Sequence, residues 1–208
     1  MEQELFSSQG LPLNCIAGID EAGRGPLAGP VCAACVLLPD DFPVVVLNDS
    51  KQLTHREREQ AEAIIKKQSV WAVAWATAQE IDTYNILQAT MLAMTRALRK
   101  VQKLADVQLV LIDGNRVPAQ ISDVPCQAIV KGDAKVPQIM AASILAKEAR
   151  DRYMDYAAKK WPQYGFEIHK GYPTALHQKN LRQYGFCPIH RRSFHLKHQE
   201  HTQEPSLF

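Results

Sequence analysis

A chain of 208 residues, 46% hydrophobic and 22% charged, holds enough apolar material for one sizeable domain, or one domain with a small appendage. No apolar run approaches the ~20 residues of a membrane span; the start Met1-Glu2-Gln3-Glu4 lacks the basic flank and apolar core of a secretory signal; and five scattered cysteines argue against a disulfide framework. A cytoplasmic location is expected. The net charge of +2 is uneven: residues 147–200 carry 11 Lys and Arg against 5 Asp and Glu, the remainder 13 against 17, a division that suits a polyanionic partner and equally an ordinary solvated surface.

Residues 15–20 and 31–38 read as short apolar, partly β-branched strands, joined by the loop 21–30 and able to form an antiparallel pair. A turn follows at Pro39-Asp40-Asp41. Residues 55–68 have helical spacing, with Ala61, Ile64, Ile65 and Gln68 on one face. Residues 70–76 alternate Val70, Ala72, Ala74 and Ala76 against Trp71, Val73 and Trp75, a strand pattern. Leu87, Met91, Met94, Leu98 and Val101 recur at helical spacing and predict a helix over 86–104, its methionines packing a core. Residues 107–112 form a nearly continuous apolar strand, a sign of burial on both faces, ending at Asp113-Gly114. A short strand at 126–130 leads into Lys131-Gly132-Asp133, Pro137 opens a long helix through about Lys160, and 174–184 is a further short helix. This order predicts an α/β fold: a mixed sheet flanked by helices over about 14–160, then a helical C-terminal region over about 161–198. The expected domain is thus 14–198, with 199–208 a flexible tail.

Chemistry concentrates where apolar strands end in acids. Asp20-Glu21 closes the first strand and Asp113 a later one, and strand ends are where α/β sheets bind ligands. Asp133, after the strand at 126–130, can join them. Any one of these acids alone reads as a cap or turn residue, but four with no Cys or His close by favour a hard, oxygen-seeking ion such as Mg²⁺ or Mn²⁺. Two such ions can activate water and stabilise the leaving oxygen of a phosphodiester. Gly23 and Gly25 flank Arg24 and let backbone approach a phosphate or sugar closely. The spacing Gly23-x-Gly25-x-x-x-Gly29 misses the dinucleotide fingerprint by one residue and leads into Pro30 and a strand, which argues against a Rossmann site. Cys32-Ala33-Ala34-Cys35 has C-x-x-C spacing, yet positions i and i+3 of a strand face opposite sides, so buried structural cysteines are expected.

Asp20-Glu21-Ala22-Gly23-Arg24-Gly25-Pro26, Asp49-Ser50-Lys51-Gln52-Leu53-Thr54, Leu111-Ile112-Asp113-Gly114, Lys131-Gly132-Asp133, Ala141-Ala142-Ser143-Ile144-Leu145-Ala146-Lys147, His169-Lys170-Gly171-Tyr172-Pro173-Thr174 and Gly185-Phe186-Cys187-Pro188-Ile189-His190-Arg191 occur in an order that resembles bacterial ribonuclease HII, over residues 16–194. The resemblance implies an RNase H-like fold, cleavage of RNA within RNA–DNA hybrids, and incision 5′ to a single ribonucleotide in duplex DNA, leaving 3′-hydroxyl and 5′-phosphate ends. It implies that Asp20, Glu21, Asp113 and Asp133 are metal-binding catalytic acids. Gly23, Arg24 and Gly25 are implied to read the ribose 2′-hydroxyl and adjacent phosphate mainly through backbone groups. Tyr172 is implied to stack on the sugar at the RNA-to-DNA junction, with a buried packing tyrosine as the alternative. The 2′-hydroxyl is the feature that tells ribose from deoxyribose.

Ser50, Lys51, Ser143 and Lys147 are candidate phosphate contacts; Ser143 and Lys147, four apart, share a helix face, and Lys147 also reads as a solvated lysine. His169, His177, His190 and His195 form a late cluster with metal-ligand chemistry; with four acids already present, phosphate contact or structure is expected of it. The end Gln203-Glu204-Pro205-Ser206-Leu207-Phe208 resembles peptides that dock on the bacterial sliding clamp. A monomer is expected. With only about fourteen residues before the first strand, the N-terminal domain of ribonuclease HIII is not expected here. The presence of all four acids argues against a binding protein that has lost catalysis, and the basic C-terminal half favours a polymer over the small substrates of a phosphatase.

Overall fold

The computed structural model describes residues 12–47 and 54–194. Its apolar runs form one five-stranded sheet: β1 (Ile16–Ala22), β2 (Val31–Leu37), β3 (Val70–Ala76), β4 (Leu109–Asp113) and β5 (Cys126–Ile129), in the order β3-β2-β1-β4-β5. β1 pairs antiparallel with β2, and β2 with β3; β1 pairs parallel with β4, and β4 with β5. The helices are α1 (His55–Gln68), α2 (Ala78–Val101), α3 (Pro137–Lys160), α4 (Phe166–His169) and α5 (Ala175–Tyr184). The mixed sheet flanked by helices, followed by a helical C-terminal region, is the fold that the residue pattern predicts. None of the described helices is long and apolar enough to cross a membrane.

Both faces of the sheet are covered, which explains the nearly unbroken apolar strands. On one side Ala17, Ile19, Ala33, Cys35, Val110 and Ile112 pack against Ala93, Met94, Ala97 and Leu98 of α2. On the other, Cys32, Ala34 and Val36 pack against Ala141, Ala142 and Leu145 of α3 and Ala61 and Ile65 of α1, while Ile16 and Leu111 meet Ile139. Strand alternation therefore puts Cys32 and Cys35 in different cores, and burial pushes both thiols far up. The C-x-x-C spacing makes neither a metal site nor a redox pair. Central strand β1 carries Gly18 where α3 crosses: a Cβ there would lie 2.2 Å from the Gln138 carbonyl carbon and 2.4 Å from the Ile139 nitrogen. This close approach seats the start of α3 on β1.

One helix differs from the sequence pattern at both ends. α2 begins at Ala78, not 86, with Thr77 and Glu80 forming a capping box. At Asn85 the backbone leaves the helix (φ 69°, ψ 166°), and the Asn85 Oδ1 restarts it by accepting the N–H groups of Leu87 (3.0 Å) and Gln88 (3.1 Å). The apolar repeat is regular only after this internal cap, so periodicity finds the second segment alone. The helix also ends at Val101, short of 104.

The C-terminal region packs a third cluster, with Ala28, Met154, Tyr164, Phe166 and Ile189 at its centre, and lodges three histidines within it. Their partners fix the proton positions. Gly171 N–H donates to His169 Nδ1 (3.2 Å), so His169 Nε2–H donates to the Tyr164 carbonyl (2.9 Å). Cys187 N–H donates to His190 Nδ1 (2.9 Å), so His190 Nε2–H donates to His177 Nε2 (3.1 Å) and His177 Nδ1–H to the Tyr172 carbonyl (3.0 Å). His169 stacks on His177, ring centroids 4.4 Å apart. These partners place the ring protons on His169 Nε2, His190 Nε2 and His177 Nδ1.

Two outcomes test this packing. Gly18→Ala drives a methyl into the backbone of α3, where no rotamer relieves it, and lowers unfolding free energy by about 3 kcal/mol in urea titration; an unchanged midpoint would mean that α3 can lift off β1 freely. Burial, and secondarily His177, holds His190 at about 4, against an ordinary 6.5. The unfolded chain takes up that proton first as pH falls, so stability present above pH 6.5 is lost progressively toward pH 4. The melting temperature falls through that window, and His190→Gln, which cannot titrate, makes the fall shallower; parallel curves would overturn the assignment.

Candidate active site

The parallel pairing of β1 with β4, with Ile19 opposite Ile112, brings Asp20 and Asp113 to the same end of neighbouring strands although 93 positions separate them. Asp20 is only 5% exposed. Its carboxylate accepts the Glu21 N–H at 2.7 Å and a hydrogen bond from the Ser143 hydroxyl on α3. Burial, then the charges of Glu21 and Asp113, hold Asp20 well above the usual carboxylate range. Burial also raises Glu21, opposed by Arg24, whose Nη1 lies 3.3 Å from Oε1. Asp113 accepts the Asp133 N–H at 3.3 Å. Asp133 is buried on the 3₁₀ turn Gly132–Ala134, entered through Lys131 in the left-handed region (φ 57°). All four acids line one open cavity of about 520 Å³.

Among the described residues, no Cys or His lines that cavity. A set of four carboxylate side chains fits a hard divalent cation, which would relieve the repulsion that raises Asp20.

The loop after β1 forms the next wall, with Gly23, Arg24 and Gly25 on the cavity. Two buried arginines hold it from behind. Arg191 donates to the carbonyls of Gly23 (2.5 Å), Arg24 (2.9 Å) and Gly29 (2.9 Å), and Arg150 of α3 to those of Ala28 (3.1 Å) and Pro30 (3.2 Å). In a planar trans peptide the carbonyl and the next N–H point oppositely, so the N–H groups of Arg24 and Gly25 are turned away from Arg191. Gly23 adopts φ +97°, and a Cβ there would lie 2.0 Å from Arg150 Nε, so only glycine fits.

Tyr172 completes the cavity from the C-terminal region. It is 45% exposed, not a packed core tyrosine. A Cβ on Gly25 would lie 3.6 Å from its Cε1, and the Arg150 guanidinium sits 5.8 Å from its ring centre. Lys147 also lines the cavity, paired with Asp151 one turn along α3. Sequence patterning missed Arg58, which lines the cavity from α1 and donates its Nε to the buried Glu148 at 2.7 Å; 90 positions separate the pair, and no local pattern marks it. Patterning also missed what Arg150 and Arg191 do. Of the late histidines, His169, His177 and His190 lie in the C-terminal core. Ser50, Lys51, His195 and the tail 203–208 lie outside the described residues.

The family model described as Ribonuclease HII matches residues 17–197. The ribonuclease HII of Dechloromonas aromatica is 54% identical over 185 residues, 88% of this chain and 92% of that protein. Among solved structures, the PCNA:RNase HII complex from Archaeoglobus fulgidus aligns with TM-score 0.74 at 24% identity, over 89% of this chain and 97% of that one. The ribonuclease H2 from Pyrococcus horikoshii aligns with TM-score 0.70 at 28% identity, over 86% and 93%. With a family match across most of its length and half its residues shared with a curated relative, the chain belongs to the ribonuclease HII family and is an endonuclease of the ribonuclease H class.

Proposed function

We propose that this endonuclease hydrolyses the RNA strand of RNA–DNA hybrids and incises 5′ to a single ribonucleotide embedded in duplex DNA, with two divalent ions, Mg²⁺ or Mn²⁺. The observation that carries the reading is the convergence of four carboxylates, the loop 23–25 and the exposed ring of Tyr172 on one open cavity. Asp20, Glu21, Asp113 and Asp133 hold the ions; when bound, these supply the Lewis acidity that activates water and offsets charge on the leaving oxygen. Water adds to phosphorus, the bond to the 3′ oxygen breaks, and the products carry 3′-hydroxyl and 5′-phosphate ends. Ser143 orients the Asp20 carboxylate through its hydrogen bond.

Substrate choice rests on the loop and the ring. The N–H groups of Arg24 and Gly25, turned outward by the arginines behind them, read the 2′-hydroxyl and neighbouring phosphate, while Tyr172 stacks on the sugar at the junction. Lys147 and Arg58 face the phosphates of the bound strand, and Ser50 and Lys51 add contacts from the neighbouring segment. Residues 14–198 act as the catalytic domain. The tail 203–208 docks on the sliding clamp; the clamp complex of the Archaeoglobus fulgidus enzyme supports that reading.

The test is a labelled duplex with one ribonucleotide, beside an all-DNA control. Incision 5′ to the ribonucleotide needs Mg²⁺ or Mn²⁺, and Asp20→Asn lowers it by about a thousandfold or more. Because burial and neighbouring like charges disfavour the ionised Asp20 carboxylate, Asp20→Asn melts no lower than wild type in the absence of metal. Binding without incision under either metal would overturn the reading. Deleting the last six residues leaves incision intact and abolishes pull-down by the bacterial sliding clamp; undiminished pull-down would remove the tail from the account.

A further inference from the structure

Tyr172 stands on an unusual turn. Lys170 (φ 49°) and Gly171 (φ 84°) are consecutive left-handed residues, and a Cβ on Gly171 would lie 2.5 Å from the Ala28 carbonyl oxygen. Such a turn persists only where its surroundings over-determine it. Here the constraints come from histidines. His169 accepts the Gly171 N–H with Nδ1 and the Tyr172 N–H with its carbonyl (2.8 Å). His177 donates Nδ1–H to the Tyr172 carbonyl, and His190 holds His177 in the required tautomer by donating to its Nε2. The far end is anchored by the Cys187 N–H, beside the Ile189 and Arg191 backbone that pairs with the loop at Leu27 and Gly29. The Gly171 carbonyl in turn accepts the Leu27 N–H at 2.8 Å.

We propose that His190 and His177 form a positioning relay that sets the Tyr172 ring against the loop 23–25, so that these two histidines, neither of which lines the active-site cavity, determine how well the enzyme senses an RNA-to-DNA junction. The inference rests on the reading of Tyr172 as the junction sensor. The chain of donors runs one way, from the Cys187 N–H through both rings to the Tyr172 carbonyl. A buried polar chain of this kind in an otherwise apolar cluster specifies one arrangement, at little gain in stability. Removing its last donor leaves the Tyr172 carbonyl, on an exposed turn, with the neighbouring Thr174 N–H (2.8 Å) as its remaining protein donor, so the fold survives while the ring loses its tie to the C-terminal core. Small misplacements of a substrate-orienting group carry large rate penalties.

The experiment measures single-turnover rates on two substrates, a duplex with one ribonucleotide and a continuous RNA–DNA hybrid, together with melting temperatures. His177→Leu lowers the junction-to-hybrid rate ratio by about tenfold. His177→Asn, whose amide N–H can take the place of Nδ1–H, restores most of it. In a Tyr172→Ala background, His177→Leu changes the ratio by less than about twofold, because the group it positions is gone. An unchanged ratio in His177→Leu, or a loss that persists in full without the Tyr172 ring, overturns the relay. If His177→Leu fails to fold, His190→Leu carries the same comparison, since it removes the donor to His177 Nε2 and leaves His177 itself in place. Tyr172→Ala alone separates the two levels: a wild-type ratio there overturns the sensor reading and the relay with it, whereas a lowered ratio there with none in the histidine variants overturns the relay only.

Discussion

Arg150 and Arg191 are fully buried cations, and the site depends on where they point. Taking a guanidinium out of water costs several kcal/mol even after relaxation, and here burial lowers both, Arg191 to about 9 with Arg150 contributing. What offsets this are five loop carbonyls, each hydrogen bond to a charged donor being worth about 1.5–3 kcal/mol. The arrangement has two consequences. It ties α3, the C-terminal segment and the β1–β2 loop into one body. It also turns the carbonyls of Gly23 and Arg24 inward and the N–H groups of Arg24 and Gly25 outward, converting this part of a glycine-rich connection into a fixed pair of donors. A side chain at Gly23 would strike Arg150 and one at Gly29 would meet the Met154 sulfur at 2.5 Å, so the glycines permit the arginines and the arginines shape the glycines.

The acid cluster is the opposite kind of feature. Asp20 and Glu21 are held above their ordinary range by burial, and Asp113 adds repulsion to both. This local instability is sustained by the sheet beneath it. β1 is buried on both faces, Gly18 lets α3 lie against the strand, and Ser143, five residues after Gln138 on that helix, reaches Asp20. The close helix–strand contact is therefore what delivers a hydroxyl to the carboxylate. Functional residues that cost stability depend on support of this sort from the surrounding packing.

Much of this was legible in the chain. Strict alternation at 70–76, the Pro137 start and the parallel-type apolar run before Asp113 all describe features dominated by local pattern, and the structure follows them closely. The acids could be grouped because Asp20-Glu21 and Asp113 end apolar strands, whose ends share one edge of a sheet, and Asp133 follows a third strand closely. What escaped lies at long sequence range. Arg58 meets Glu148 across 90 positions, and Arg191 meets Gly23 across 168; a helix-surface arginine looks the same whether solvated or built into a wall. The early start of α2 was readable in the Thr77–Glu80 capping box, but the Asn85 break interrupts the apolar repeat and masks it. The late histidines were ambiguous for a related reason: residue type cannot tell a metal ligand from a neutral ring whose two nitrogens are both already occupied by protein.

Reading one hydroxyl on one sugar demands more than a single donor, because a duplex presents phosphates and sugars everywhere along its length. In the proposed mechanism the discrimination is divided between backbone at 23–25 and a ring at 172, contributed by opposite ends of the chain. Such a divided reader works only if its halves keep a fixed separation. Three links set it here: the Leu27–Gly171 hydrogen bond, the pairing of Ala28 with His190, and the placement of the Arg150 guanidinium over the Tyr172 ring. The first two join backbone that is buried at Leu27, Ala28, Gly171 and His190, and the third reaches from there to the exposed rim of the cavity. The C-terminal region thus acts less as an added lobe than as the second jaw of the site, and its rigidity, inherited from the arginines and histidines behind it, is what makes recognition at this scale physically attainable.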